Sequence, residues 1–257
     1  MRNIPVITRN LLLINLLVFL LDLSLRRHGI MLSSLLGLHF VTSSGFHWWQ
    51  AFTYMFLHAD FGHLFCNMFA VWMFGPILER EWGAQKYLFY YLVCGLGAAI
   101  AQEAVWAVRV ANLLQTYPVE VVTLRYIDVV VTIGASGAVF GILLAFGWLF
   151  PDIPMFILFL PIPIRARTFV IIYAAIELFA GFSHITGDNV AHFAHLGGML
   201  FGLLLLLLWK KGDWKWSNWH MPWRRYPRLD GSKDKDYSSY HYQRRVDDVD
   251  SEENDAE

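Results

Sequence analysis

Six apolar runs separated by short charged or aromatic-rich stretches constrain this chain more than any other feature. Each run is roughly 15–22 residues long, close to what a helix needs to cross about 30 Å of hydrocarbon. Composition agrees: 56% of the 257 residues are apolar and only 16% charged, against about 25% charged in soluble domains. The chain is too poor in charge to hold a surface in water, and the expected class is an all-α polytopic membrane protein. A net charge of −1 leaves no electrostatic footprint for nucleic acid. Cys66 and Cys94 both fall inside apolar runs, so no disulfide framework and no redox compartment is read from them.

The first run, Leu11 to Leu25, follows Arg2 and Arg9 and is broken by Asn15 and Asp22. Its charged front also fits a secretory leader. No small-x-small cleavage site follows, however, and Arg26, Arg27 and His28 come next, so an uncleaved span is expected. Ile30 to Gln50 is too interrupted to span and carries the aromatic residues of an interfacial segment, among them Phe46, Trp48 and Trp49. The second span is expected over His58–Leu78, stopped by Glu79-Arg80-Glu81 and Gly83, and the third over Tyr87–Gln102 with a small-residue face at Gly95, Gly97, Ala98 and Ala99. Residues 103–128 read as an external connection. The fourth run is Val129–Phe150. Pro151–Arg167 reads as a connection against the membrane, and the fifth span as Thr168–Phe182 with Glu177 inside. After a polar turn the sixth, Val190–Trp209, ends at Lys210 and Lys211. The expected organisation is a terminal segment 1–9, a six-span domain 10–209, a Trp-rich interfacial segment 210–227 and a polar, disordered tail 228–257. Six spans put both termini on one side. That side holds eight Lys/Arg residues near the span ends against four opposite, so both termini are expected to be cytoplasmic. No internal repeat supports an inverted-repeat transporter plan.

Within the fourth run stands Gly134-Ala135-Ser136-Gly137, a serine among small residues in apolar surroundings. The residues before it, Val129 to Ile133, are β-branched or apolar and lean extended, so the helix is expected to begin near Ser136. From there to Phe150 is fifteen residues, about 22 Å of helix. That is too short to cross, and it places Ser136 below the membrane surface. Non-helical backbone at such depth is tolerated only under a cover of protein or beside a water-filled cavity.

Polar side chains inside spans are functional candidates by default. His63 and Asn67 are four apart and share a helix face, with His58 before them; His192 and His195 open the sixth span. With the topology above, these groups and Ser136 lie at a common depth in the outer half of the membrane. Gly137, Gly141 and Ala145 form one small-residue stripe, and Ala194, Gly198 and Gly202 another, along which the fourth and sixth helices can nearly touch. Ser136 and His195 flank that seam. A serine hydroxyl beside an imidazole is the pair that nucleophilic attack on a carbonyl requires. Asn67, His63 and the Ser136 amide could supply donors to the anion formed.

Each group also has a plainer reading. Gly-x-Ser-Gly alone more often packs helices than cleaves bonds. A His/Asn pair at i, i+4 serves equally as an interhelical hydrogen bond or half of a metal site. His192 reads as structural or pore-lining. Glu177 reads as a contact to a neighbouring helix, with nothing tying it to the site, so His195 is expected to work without an acid partner. Asn15 and Asp22 read as helix-contact residues, and the tryptophans beyond Trp209 as interface anchors. His39, His47 and His184 carry no clear signal.

Four elements in order carry a family resemblance over about residues 10–209. They are His58-x-x-x-x-His63-x-x-x-Asn67, Gly75-x-x-x-Glu79-x-x-x-Gly83, Gly134-x-Ser136-Gly137 and Ala194-His195-x-Gly197-Gly198. The chain resembles a rhomboid intramembrane serine protease of the six-span prokaryotic type. The resemblance implies a six-helix rhomboid-like bundle with a membrane-embedded first external loop at residues 26–57. It implies Ser136 as nucleophile and His195 as base, and His63 and Asn67, with the Ser136 backbone N–H, at an oxyanion site. His58 resembles a member of the supporting network; Gly134, Gly137 and Gly198 are the supporting glycines. The fifth span and the turn at 183–189 would form the gate through which substrate enters. Two departures stand out. Trp49-Gln50 replaces the family's frequent Trp-Arg, and Phe140 replaces a frequent tyrosine, keeping a ring to stack on His195 but no hydroxyl.

The expected function is intramembrane serine endopeptidase, acting on transmembrane or juxtamembrane segments of other membrane proteins. The lipid bilayer is an obligatory partner and nucleic acid is not one. No metal or organic cofactor is expected, since there is no His-Glu-x-x-His motif. The expected location is a bacterial inner membrane. A non-enzymatic rhomboid-like binder of membrane clients is the alternative, disfavoured because both members of the Ser–His pair are present. A channel is disfavoured because the polar groups gather at one end of the spans.

Overall fold

The computed structural model describes residues 4–157, 160–183 and 191–211. Six principal helices occupy the positions of the six apolar runs: α1 (Val6–Arg26), α4 (Phe61–Trp82), α5 (Ala84–Leu114), α7 (Ser136–Leu149), α8 (Ala166–Ser183) and α9 (His192–Lys211). Among the described residues, α1, α4, α5 and α9 are long and apolar enough to cross a membrane. The short helices are α2 (Leu32–Leu36), α3 (Gln50–Thr53) and α6 (Val119–Val122). All of these elements lie within one unit, Met1–Trp219. The turn expected at 183–189, the Trp-rich segment beyond Lys211 and the tail lie outside the described residues, apart from the backbone of Ser183.

The surface is inside out relative to a soluble protein. On α1, Thr8, Leu11, Asn15 and Asp22 are buried while Leu13, Leu16, Leu17 and Leu20 are exposed. Phe65, Phe69 and Trp72 on α4 and Ile171 and Phe179 on α8 are likewise exposed. Helices that bury amide and carboxylate and present leucine and phenylalanine are built for a hydrocarbon solvent.

Buried polar groups fix the ends of these helices. Glu79 was read as part of a charged stop. It is instead buried near the end of α4, where its carboxylate accepts the Ile7 N–H (2.9 Å), the Thr8 N–H (2.7 Å) and the Thr8 hydroxyl (2.8 Å). A negative charge thus closes the N-terminus of α1, where unpaired amides and the helix dipole favour it. At the other end of α1, Asp22 pairs with Arg26 and accepts the Leu32 N–H at 3.1 Å. Asn15 donates within its own helix to Leu11 C=O at 2.8 Å, whereas Asp22 reaches across to the first residue of α2. Asp60 caps α4 by accepting the His63 N–H at 2.9 Å.

Two connections differ from expectation. The third span does not stop at Gln102. Nothing between 103 and 114 breaks a helix, and Trp106 and Val110 bury one face, so α5 continues to Leu114. Its 31 residues measure about 46 Å, beyond the hydrocarbon thickness. Pro151–Arg167 is not featureless either: β3 (Pro154–Ile157) and β4 (Leu160–Arg165) pair antiparallel, with Pro154 opposite Arg165. Asp152 pairs with Arg167 at 3.0 Å beside them.

The first loop is braced from within. Gln50, in the place of the family's arginine, is fully buried and holds the loop with four hydrogen bonds. It accepts the His39 and His47 N–H groups and donates to Leu35 and Gly45 C=O. The extension of α5 and the segment after it anchor the same loop. Glu103 accepts the Val41 N–H at 3.0 Å, and Asp128 accepts the Ser44 N–H and Ser43 hydroxyl, both at 2.9 Å. Finally β1 (Leu38–His39) pairs antiparallel with β2 (Val131–Thr132), Leu38 opposite Thr132. The extended backbone leading to Ser136 is therefore paired with the first loop, although Val129 and Val131 keep their side chains exposed.

Glycines set the central packing of α5, α7 and α9. A Cβ on Gly198 of α9 would collide with the backbone of Gly137 on α7, and one on Gly137 with Ala98 Cβ on α5. Gly202 meets Tyr90 and Cys94 of α5 rather than α7. The Tyr90 hydroxyl in turn donates to Gly141 C=O of α7 at 2.9 Å.

Candidate active site

Gly134 ends the extended segment at φ +131°, a conformation that L side chains rarely adopt. Space imposes the same choice, because a Cβ there would sit 2.7 Å from His63 Nε2. The turn is held by Gly134 N–H donating to Tyr54 C=O at 2.9 Å. Tyr54 is itself fixed through its hydroxyl to Gly95 C=O at 2.7 Å. Ser136 follows as the first residue of α7.

The Ser136 Oγ lies 2.7 Å from His195 Nε2. His195 is buried, and its ring stacks on Phe140 at 4.3 Å between centroids and 11° between planes. Phe140 is one turn along α7 from Ser136, so one helix supplies both the hydroxyl and the face that holds the imidazole. The first acceptor inside α7 is Ala135 C=O, which takes the Val139 N–H at 3.0 Å. The amides of Ser136, Gly137 and Ala138 precede it and have no acceptor within the helix.

His63 reaches the other side of the turn from the first turn of α4. Its Nδ1 faces the Ala59 N–H at a long 3.5 Å, and its Nε2 lies against Gly134. If Nδ1 accepts, Nε2 carries the hydrogen toward Ser136's end of the turn. Asn67 is buried, and one of its amide hydrogens goes to His63 C=O at 3.0 Å; the other is left to donate. His58 is buried and packs edge-on against the His63 ring at 5.0 Å. Gly137 and Gly198 form the close contact of α7 and α9 immediately beneath the Ser136–His195 pair.

Glu177 does contact a neighbouring helix, as expected, but that contact lies at the site, and His195 does have an acid partner: Glu177 Oε2 lies 2.8 Å from His195 Nδ1 and 2.7 Å from His192 Nδ1. The connection between α8 and α9 is short, which makes them antiparallel neighbours and brings the carboxylate level with both imidazoles. The available signal was the pairing of one acid in the fifth run with two histidines three apart in the sixth. The same three residues offer ligand atoms within 4.8 Å of one another. Atoms shared by a zinc ion at about 2.0–2.1 Å stand on the order of 3.3 Å apart. The 2.7 and 2.8 Å separations are those of hydrogen bonds.

A family model described as the Rhomboid domain matches residues 45–211. The chain belongs to the rhomboid family. This family is known for intramembrane serine proteases, which act on membrane proteins within the bilayer. Rhomboid-like protein 11, chloroplastic, of Arabidopsis thaliana is 31% identical over 210 residues, 78% of this chain and 64% of that one. Rhomboid protein 1, mitochondrial, of Saccharomyces cerevisiae is 30% identical over 149 residues, 58% of this chain and 38% of its own length. The putative rhomboid protease YdcA of Bacillus subtilis is 29% identical over 193 residues, 74% of this chain and 82% of that one. The chain thus spans less than two thirds of the first two relatives. As a rhomboid with apolar-surfaced helices it is an integral membrane protein; relatives named for mitochondria and chloroplasts leave its particular membrane open.

Proposed function

We propose that this rhomboid is an active intramembrane serine endopeptidase, with Ser136 as nucleophile and His195 as its base. The 2.7 Å Oγ–Nε2 contact is the observation that carries the reading. His195 Nε2 takes the Ser136 proton as Oγ bonds to the scissile carbonyl carbon, and the carbonyl π pair moves onto oxygen. The resulting oxyanion takes its donors from the Ser136 amide at the start of α7, His63 Nε2–H and Asn67 Nδ2. Collapse expels the amine, which receives the proton from His195. Water, deprotonated by the same imidazole, then hydrolyses the acyl-enzyme.

Transmembrane or juxtamembrane segments of other membrane proteins are the proposed substrates. Small side chains at the cleaved bond fit best, since a helical peptide bond is shielded until its helix unwinds. The protease domain is assigned to residues 10–209, with both termini cytoplasmic and Ser136 in the outer half of a bacterial inner membrane. The chemistry calls for no cofactor.

The test is cleavage of a fluorescently labelled transmembrane substrate by purified wild type, Ser136→Ala and His195→Ala. The reading requires cleavage by wild type and none above background by either variant. Cleavage surviving in Ser136→Ala removes the nucleophile assignment. Substrate binding without cleavage by wild type supports a client-binding rhomboid instead.

A further inference from the structure

Glu177 is the single acidic residue of α8. It is buried, while Ile176 and Leu178 on either side of it are exposed. A carboxylate at membrane depth persists only with partners, and here both partners converge on one oxygen, Oε2. An ionised carboxylate accepts and cannot donate, so each imidazole turns an Nδ1–H toward it. For His195 that choice decides the chemistry. With the hydrogen on Nδ1, the lone pair is on Nε2, the atom 2.7 Å from Ser136 Oγ. The opposite tautomer would present Nε2–H to the serine and could not act as its base.

We propose that Glu177 is a positioning residue that completes a Ser136–His195–Glu177 chain, holding His195 in the reactive tautomer and countering the charge that the imidazole gains. The inference rests on the reading of Ser136 and His195 as the reacting pair. When Ser136 attacks, the Oγ–H bond breaks and its proton goes to Nε2, leaving imidazolium beside the carboxylate. Glu177 stays ionised and receives no proton. Two contacts then define the ring: Phe140 sets its plane from α7, and Glu177 sets its tautomer from α8. His192 holds the same oxygen from the other side and so fixes the carboxylate itself.

The test uses the full chain in detergent or bicelles, with two readouts: turnover of a labelled transmembrane substrate, and the rate at which a small fluorophosphonate labels Ser136. The second requires the activated serine but no substrate helix to pass α8. Glu177→Ala and Glu177→Gln are expected to lower kcat by about 10-fold or more, up to the roughly 10⁴-fold seen when a triad acid is neutralised, with KM within about twofold. Fluorophosphonate labelling should slow by a similar factor, and Glu177→Asp should recover part of both rates. Phe193→Ala loosens the same helix pair at its ring contact with Phe182 (5.3 Å) without touching the carboxylate; it should leave labelling near the wild-type rate. Chelators should not change wild-type activity. Turnover by Glu177→Ala within about twofold of wild type, with Ser136→Ala inactive, overturns the inference alone. So does a matching loss in Phe193→Ala, which would make packing the cause, or a chelator-sensitive, zinc-restored activity. Cleavage by Ser136→Ala would instead overturn the underlying reading.

Discussion

Gly198→Ala is the sharpest probe of the seam that joins Ser136 to His195. A Cβ at Gly198 would lie 2.6 Å from the Gly137 carbonyl carbon and closer still to its oxygen. The obstacle is backbone, so no side chain can swing away. Ordinary contact begins near 3.4 Å, so α7 and α9 must part by at least about 0.8 Å to clear the carbon and by more to clear the oxygen, in an interior with little free volume. Ser136 is next to Gly137 and His195 is one turn from Gly198, so the displacement falls on the reacting pair. Their 2.7 Å contact would open to about 3.5 Å or more, outside hydrogen-bond range. A misplacement near 1 Å costs on the order of 100-fold in rate, and overpacking costs about 1–3 kcal/mol of stability. The assay is initial cleavage rate and fluorophosphonate labelling beside thermal unfolding, with Gly202→Ala as comparison. That Cβ meets Tyr90 and Cys94 side chains of α5, farther along α9 from the pair. It should lower stability, through the Tyr90–Gly141 hydrogen bond, more than it lowers rate. Gly198→Ala cleaving within about threefold of wild type would refute the claim that this contact sets the Ser136–His195 distance.

Asn67→Ala should slow turnover by about 100-fold with unchanged unfolding temperature, the usual cost of one oxyanion donor; unchanged turnover removes Asn67 from that site. Glu79→Ala strips three hydrogen bonds from the start of α1 and should destabilise the fold by about 1–3 kcal/mol, read by thermal unfolding. Glu79→Gln, which loses only the charge at the helix N-terminus, should cost less. The Ser44 N–H, with the Ser43 hydroxyl, holds the Asp128 carboxyl below the usual carboxylate range. A depressed folded-state value means its tie to the first loop is fully present above about pH 3.9, the unfolded value, and is lost as pH falls through the lower folded one. Amide exchange at Ser44, corrected for its intrinsic rate, should therefore accelerate in acid. Asp128→Asn should show no such acid step.

What was legible in the sequence depended on whether a signal is carried by one segment or shared between two. The start of α7 was local: β-branched residues followed by a short apolar helix gave an extended approach, seen as β2, and a helix beginning at Ser136. The end of α5 was misjudged because charges at 103 and 109 were weighed above the absence of any breaker. Gln50 and Glu79 each bond to backbone amides of another segment, which no side-chain pattern announces. Glu177 was the hardest case, and the reason is physical. In water a helix reveals its inner face by amphipathic period; in hydrocarbon both faces are apolar and the period fades. The rare polar residues then become the markers of the inner face, as Thr8, Asn15 and Asp22 are on α1. Applied to α8, that rule turns Glu177 inward together with Val170 and Ala166, seven and eleven positions before it, and both are buried. It leaves Ile171, Phe179 and Phe182 to the exposed face. Once Glu177 faces inward beside α9, the two histidines three apart on that helix are the only partners whose spacing lets both meet one carboxylate.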